Sequence, residues 1–125
     1  MLGLSANLNY YLFNGNVDLR KGIFRLCESI REEMSLDPSD TSNVYMFMSR
    51  NRKVVKILHY ERGFYVLYEK RPVMGRFKKP VFDEVSKCYR IQWSDMAYLT
   101  ESIVVDKMYV LSLIHISEPT RPISI

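Results

Sequence analysis

The chain of 125 residues has few of the residues that build metal sites and disulfides. Its two cysteines, Cys27 and Cys88, lie far apart and outside any CxxC pair, and its two histidines, His59 and His115, have no metal-ligand spacing to them. A zinc site is therefore not expected, and neither is any other metal or cofactor. We expect both cysteines to be reduced, buried, small apolar side chains. His59 falls in an alternating strand pattern, where a packing role is expected rather than catalysis.

The sequence also lacks long hydrophobic runs. No stretch of 18 uncharged apolar residues occurs, so no membrane-spanning helix is expected. Residues 1–13 have neither the basic region nor the small-residue cleavage site of a secretory signal. With 47% hydrophobic residues and a length that suits one domain, the sequence predicts a globular protein of the cytoplasm.

Patterns that mark an active site are missing as well. Metal-dependent DNA strand transfer needs several carboxylates that converge on two cations. The basic centre of the chain holds only Glu61 and Glu69, and Asp83 and Glu84 fall in a predicted loop. There is no phosphate-cradling glycine loop and no Ser-His-Asp order. We therefore predict a protein that is not an enzyme and has no small-molecule substrate.

Positive charge is concentrated in residues 49–80. Ten basic and two acidic side chains give this stretch a charge of +8, and since the whole chain carries +4, the remaining residues carry −4. A charge this one-sided indicates a polyanionic or acidic partner. Aromatic residues are interleaved with the charges, namely Tyr60, Phe64, Tyr65, Tyr68 and Phe77. Alternating aromatic and charged residues are also typical of an ordinary half-buried hairpin, so the aromatics alone do not decide function.

A helical period precedes the basic stretch. Apolar residues recur at steps of three and four at Leu19, Ile23, Leu26, Ile30 and Met34. This spacing predicts an amphipathic helix from Val17 to Leu36. Asn16 or Asp18 is expected to cap its start, and Asp37-Pro38 is expected to end it.

Strand patterns account for much of the remaining chain. Residues 8–13, 43–48, 53–60, 64–70 and 88–93 are predicted to be strands. Residues 43–70 should form an antiparallel meander whose last turn uses Gly63 at positive φ.

The C-terminal part of the domain is predicted to contain one more helix. Ser94-Asp95 should cap a short helix that runs to about Val104, with Trp93 as a core anchor, and residues 72–80 should form an irregular arm. The predicted fold is α+β, with the amphipathic helix packed on an antiparallel β-meander and a short C-terminal helix.

Residues 111–125 differ in character from the rest. The segment SLIHISEPTRP resembles the translation of a sequencing adapter, and it contains His115. We therefore predict a single domain over residues 1–110, with a basic β-ribbon and arm at 49–80, and a non-native tail over residues 111–125.

Several short motifs together resemble a known family. In order, they are Asp18-Leu19-Arg20-Lys21, Val44-Tyr45-Met46-Phe47, Arg50-Asn51-Arg52, Lys56-Ile57-Leu58, Gly63-Phe64, Tyr68-Glu69-Lys70-Arg71 and Gly75-Arg76-Phe77. Between about Tyr10 and Ile103 they resemble the TnpB-type accessory protein of bacterial insertion sequences of the IS-sixty-six type. In that family the Gly-Arg-Phe element usually continues to tryptophan and proline, whereas Lys78-Lys79-Pro80 keeps only the proline. The resemblance implies a role in transposition beside a separate, larger transposase that cuts and joins DNA, and it supplies no catalytic role for this chain.

Two interpretations of the basic stretch stay open. In the first, it binds the DNA backbone. The candidate contacts are Arg50, Arg52, Lys53, Lys56, Arg71, Arg76, Lys78 and Lys79, with Tyr68 and Phe77 as candidates for stacking on bases. In the second, the same side chains dock on an acidic surface of the transposase, because phosphate and carboxylate attract the same arginines.

Overall fold

A five-stranded mixed sheet lies at the centre of the computed structural model, which describes residues 4–14, 18–20, 22–81 and 86–104. The elements are β1 (Asn9–Phe13), α1 (Ile23–Ser29), β2 (Asn43–Met48), β3 (Val55–Glu61), β4 (Phe64–Lys70), β5 (Arg76–Phe77), β6 (Cys88–Ile91), α2 (Trp93–Glu101) and β7 (Ile103–Val104). The sheet order is β4-β3-β2-β1-β6, and β5 pairs with β7 in a separate two-stranded ribbon. This arrangement confirms the predicted α+β class. The predicted tail, the cap at Asn16 and His115 lie outside the described residues.

The predicted meander is present, and the sheet extends beyond it. Strands β2, β3 and β4 pair antiparallel in succession. Strand β1 pairs with β2 in parallel, from Asn9 opposite Asn43 to Leu12 opposite Met46, and β6 pairs antiparallel with the other side of β1. Two parallel neighbours need a crossover connection, and α1 lies within the segment that joins β1 to β2.

The first helix begins later than the spacing predicts. Helix α1 starts at Ile23, after Gly22 in an extended conformation, and no side chain caps it. Asp18 does not act as the predicted cap, because its Oδ1 accepts a hydrogen bond at 3.0 Å from the backbone N–H of Arg20 in a local turn. After Ser29 the helix continues as a π-helical turn over Ile30–Met34, and Ser35 ends it in the left-handed conformation, before Asp37-Pro38.

Both faces of the sheet are covered. On one face, Leu26, Ile30 and Met34 form a core with side chains of the central strands, which confirms the apolar side predicted for the helix. On the other face, Met96 and Leu99 of α2 pack on the sheet together with Phe77. The half-buried ring of Trp93 lies against this second core, where it meets the ring of Tyr10 at a centroid distance of 5.3 Å, and here it has the predicted anchoring position.

The C-terminal helix is shorter than predicted and is capped differently. Gln92, not Ser94 or Asp95, is the N-cap, and Asp95 Oδ2 accepts a hydrogen bond at 3.1 Å from the Gln92 backbone N–H in a capping box. The helix ends at Glu101 because Ile103–Val104 pair with Arg76–Phe77 as a ribbon. For the same reason the predicted arm at 72–80 is strand in part rather than wholly irregular.

The turn between β3 and β4 offers a test of the local fold. Both of its central residues have positive φ, 49° at Arg62 and 85° at Gly63, as a type I′ turn requires. Because asparagine adopts this conformation more readily than arginine, Arg62→Asn should raise the free energy of unfolding by about 0.5–1 kcal/mol. Urea denaturation would measure it, with Arg25→Asn in α1 as the control that gains no stability. A lower stability of Arg62→Asn than of the parent would contradict the turn assignment.

Candidate nucleic-acid interface

Four of the eight predicted DNA contacts line one concave site of about 500 Å³, which we call the basic cleft. It is formed by the ends of β1 and β2, the loop that follows β2, and the segment from β5 to Pro80. Its cationic lining residues are Arg50, Arg52, Arg76 and Lys79. None of the described residues that line this cleft is acidic. The structure thus joins two groups of arginine and lysine that the sequence separates by more than twenty residues.

The loop after β2 is held in shape by its own polar side chains. Ser49 Oγ accepts hydrogen bonds from the backbone N–H groups of Lys53 at 3.1 Å and Val54 at 3.0 Å. Asn51 Oδ1 accepts from the Ser49 hydroxyl at 2.8 Å and from the Lys53 N–H at 3.1 Å. Arg52 adopts a positive φ of 59° to close the loop. This bonding fixes the backbone that carries the two loop arginines.

Arg52 connects this loop to strand β5. Its carbonyl accepts a hydrogen bond from the Phe77 N–H at 2.8 Å, and its Nη1 donates to the Phe77 carbonyl at 3.3 Å. The Phe77 side chain is only 2% exposed, and successive strand residues point in opposite directions, so Arg76 faces outward. Pairing of Arg76 with Val104 holds β5 from its other side. These contacts place Arg76 beside the loop arginines.

The basic cleft differs from the rest of the basic stretch in its ion pairing. Over the described ranges, no salt bridge involves the four cations of the cleft. Elsewhere in the basic stretch, Arg71 pairs with Glu69 at 2.8 Å and Lys70 pairs with Glu101 at 2.9 Å. Uncompensated cations in a concave site concentrate positive potential and attract anions. The cleft is therefore the strongest candidate for contact with a phosphate backbone.

The other four predicted contacts do not line the basic cleft, and they are Lys53, Lys56, Arg71 and Lys78. Lys56 is 9% exposed, because its Nζ donates to the Leu19 carbonyl and lies 3.7 Å from Glu69 Oε1, so its ammonium group serves contacts inside the domain. Arg71 is held by the same glutamate. Lys53 is exposed on the loop but is not part of the cleft lining.

The two predicted stacking residues are both placed away from the basic cleft. The ring of Phe77 fills the core beneath α2, so it presents no face to a base. Tyr68 is half-buried opposite Ile57 and lines a different groove, beside Trp93 and Ala97. Sequence analysis missed the exposed ring of Tyr98, because the spacing of apolar residues in α2 predicts only which side of the helix is buried.

The side chains of the two cysteines and of His59 are packed against other residues of the domain. Cys27 is buried and Cys88 is half-buried, both are free thiols, and burial raises the pKa of each, which disfavours the nucleophilic thiolate. The Nε2 atom of His59 lies 3.1 Å from the Thr41 carbonyl oxygen. Within residues 4–14, 18–20, 22–81 and 86–104, no three His, Cys, Asp or Glu side chains are grouped to hold a metal ion. No helix in these ranges is long and apolar enough to span a membrane.

Comparison with known proteins places this chain in a family. Residues 8–109, which include every residue of the basic cleft, match the family described as IS66 Orf2 like protein. The chain is also 29% identical over 80 residues to the uncharacterized protein y4hO of Sinorhizobium fredii (strain NBRC 101917 / NGR234), which covers 64% of this chain and 69% of that protein. No solved structure matches the chain. The family match spans most of the sequence and confirms the resemblance of its motifs, so this chain belongs to the IS66 Orf2 like family and is a transposition-associated accessory protein.

Proposed function

We propose that this protein binds DNA without catalysis during transposition, and that the basic cleft is where it holds the phosphate backbone. The observation that carries the proposal is the convergence of Arg50, Arg52, Arg76 and Lys79 on one cleft that has no acidic residue in its described lining. Guanidinium groups form two parallel hydrogen bonds with a phosphate, and charge-assisted bonds of this kind are stronger than neutral ones. A strand of phosphates is a ligand that uses the three guanidinium groups and the Lys79 ammonium group together.

The cleft is built to position DNA rather than to read its sequence. Its cations come from the loop after β2, from the two-residue strand β5 and from the segment that follows β5. Within the described residues, no helix or long ribbon projects from the cleft to enter a groove. Phosphate contacts fix register and orientation but carry no base information directly. We therefore propose binding with little sequence preference, in the cytoplasm, where the DNA of a bacterial insertion sequence lies. In this proposal the DNA cutting and joining belong to a separate transposase.

The alternative is that the basic cleft docks on an acidic surface of the transposase. The same arginines recognise carboxylates, so the composition of the cleft is compatible with both partners. The two functions predict different results for DNA binding. If the cleft holds DNA, the affinity for duplex DNA falls steeply with salt, and duplex DNA competes with the transposase for the protein. The experiment below separates them.

The proposal is tested by the salt dependence of binding to duplex DNA. Neutralising four phosphates should give a log–log slope of about −3.6 between affinity and salt concentration, because each contact contributes about 0.9. Fluorescence anisotropy with a labelled 20-base-pair duplex of arbitrary sequence would measure the slope. Arg76→Gln should reduce its magnitude by about 0.9, because one phosphate contact is lost.

The matched control is Arg25→Gln, which removes an equal charge from an exposed position on α1, away from the cleft. It should leave the slope unchanged. Absence of binding by the parent to duplex and to single-stranded DNA at low salt, combined with transposase binding that Arg76→Gln weakens, would reject DNA as the ligand and support the docking alternative.

A further inference from the structure

A second concave site adjoins the basic cleft. It has a volume of about 680 Å³, and we call it the aromatic cleft because Tyr89 of β6 and Tyr98 of α2 both line it. Leu12, Lys79 and Pro80 line both clefts, so the two sites are continuous across the Lys79-Pro80 segment. A volume in the range of roughly 300–1,000 Å³ is typical of pockets that hold a small organic group.

The aromatic cleft presents a ring and a cation side by side. The Tyr98 side chain is 54% exposed. Its hydroxyl accepts a hydrogen bond from Lys78 Nζ at 3.0 Å, and the same ammonium nitrogen lies 5.4 Å from the ring centroid. The proximity of Lys78 lowers the pKa of the Tyr98 hydroxyl. An exposed aromatic face with a neighbouring cation is the arrangement on which nucleic-acid bases stack.

The linings of the two clefts differ, and the difference suits the phosphate and the base of a nucleotide. The basic cleft is lined by four cations and no described acid, whereas the aromatic cleft is lined by one acid, Asp95, and three cations, Lys78, Lys79 and Arg90. The aromatic cleft therefore attracts a phosphate less strongly than the basic cleft does, and its tyrosine rings suit a neutral base. The shared segment at Lys79-Pro80 therefore separates a phosphate site from a base site.

From this juxtaposition we infer that the protein binds single-stranded DNA in preference to duplex, with an unpaired base stacked on Tyr98 and the adjoining phosphates in the basic cleft. The inference rests on the proposed function and specifies its ligand. In a duplex the faces of the bases are stacked on one another, so a side chain stacks on a base only where the strand is unpaired or the base is flipped out.

The test uses a 12-base-pair duplex, which the parent should bind more weakly than single-stranded DNA, and two single strands with the same number of phosphates. One is a 12-nucleotide oligothymidylate, and the other carries abasic residues at its central positions. Anisotropy titrations at fixed salt should show the parent protein binding the thymidine strand about tenfold more tightly, because base stacking is lost with the bases. Tyr98→Ala should remove this preference while its affinity for the abasic strand stays near that of the parent.

Two further variants serve as controls. Tyr98→Phe keeps the ring and should retain the preference, and Phe24→Ala removes an exposed ring that is 77% accessible on α1 and should also retain it. Equal affinity of the parent for the two strands would overturn the inference, and a preference that survives Tyr98→Ala would overturn the assignment to the aromatic cleft. In either case a persistent salt slope would leave the proposed function intact. Failure of both strands and of duplex to bind at low salt would reject the proposed function as well.

Discussion

Replacing Leu26 with aspartate should unfold the domain. Leu26 has no exposed surface and packs in the core between α1 and the sheet, together with Tyr45, Phe47 and Leu58. An unpaired carboxylate at this position costs several kcal/mol, which is comparable with the total stability of about 5–15 kcal/mol of a small domain. We expect Leu26→Asp to lose its cooperative thermal transition when it is followed by circular dichroism.

The control is an aspartate one residue earlier on the same helix. Arg25 is exposed and lies in the first turn of α1, where a negative charge interacts favourably with the helix dipole. Arg25→Asp should therefore melt within a few degrees of the parent. If Leu26→Asp did the same, the packing of α1 on the sheet would be wrong.

The parts of the fold that the sequence predicts are those that depend on local spacing. The three- and four-residue steps that include Leu26 and Ile30 predict the buried side of the helix, and both residues lie in the core. Gly63 predicts the turn between β3 and β4, and it has the expected positive φ. Such features follow from interactions between near neighbours in the chain, so a single sequence contains them.

Other features depend on contacts that local patterns do not encode. The parallel pairing of β1 with β2 and the ribbon between β5 and β7 join segments far apart in sequence. Strand β7 has two residues, which is too short for any period to be recognised. The late start of α1 has a local cause, which is the turn that Asp18 makes with Arg20. Aspartate is favoured both in such turns and at helix N-caps, so the sequence does not show which of the two forms.

The candidate site shows the same division. The charge of +8 in residues 49–80 can be counted from the sequence, but the sequence does not show which of these basic side chains line the cleft. Arg50 and Arg76 reach one cleft because Arg52 bonds to the backbone of Phe77, 25 residues away. Lys56 belongs to the same basic stretch, but its ammonium group is buried and donates a hydrogen bond to the Leu19 carbonyl.

Removing three cations of the basic cleft should abolish DNA binding at moderate salt. The combined variant carries Arg50→Gln, Arg76→Gln and Lys79→Gln, and it retains Arg52 because that guanidinium also holds β5. If each phosphate contact contributes about 1.4 kcal/mol, or tenfold in affinity, the combined loss is on the order of 10³-fold. Anisotropy titrations of parent and variant at equal salt would measure it, after circular dichroism has shown that the variant is folded.

The most direct test of the account is whether the position of the charges, rather than their number, decides binding. A second triple variant, with Arg25→Gln, Arg31→Gln and Arg62→Gln, loses the same net charge from exposed positions outside the cleft. The account predicts that this control binds DNA within about threefold of the parent, because its arginines do not line the cleft and salt screens exposed charges, while the cleft variant loses on the order of 10³-fold. Equal losses of affinity in the two triple variants would contradict it, because they would show that the basic cleft is no more than part of a diffuse positive surface.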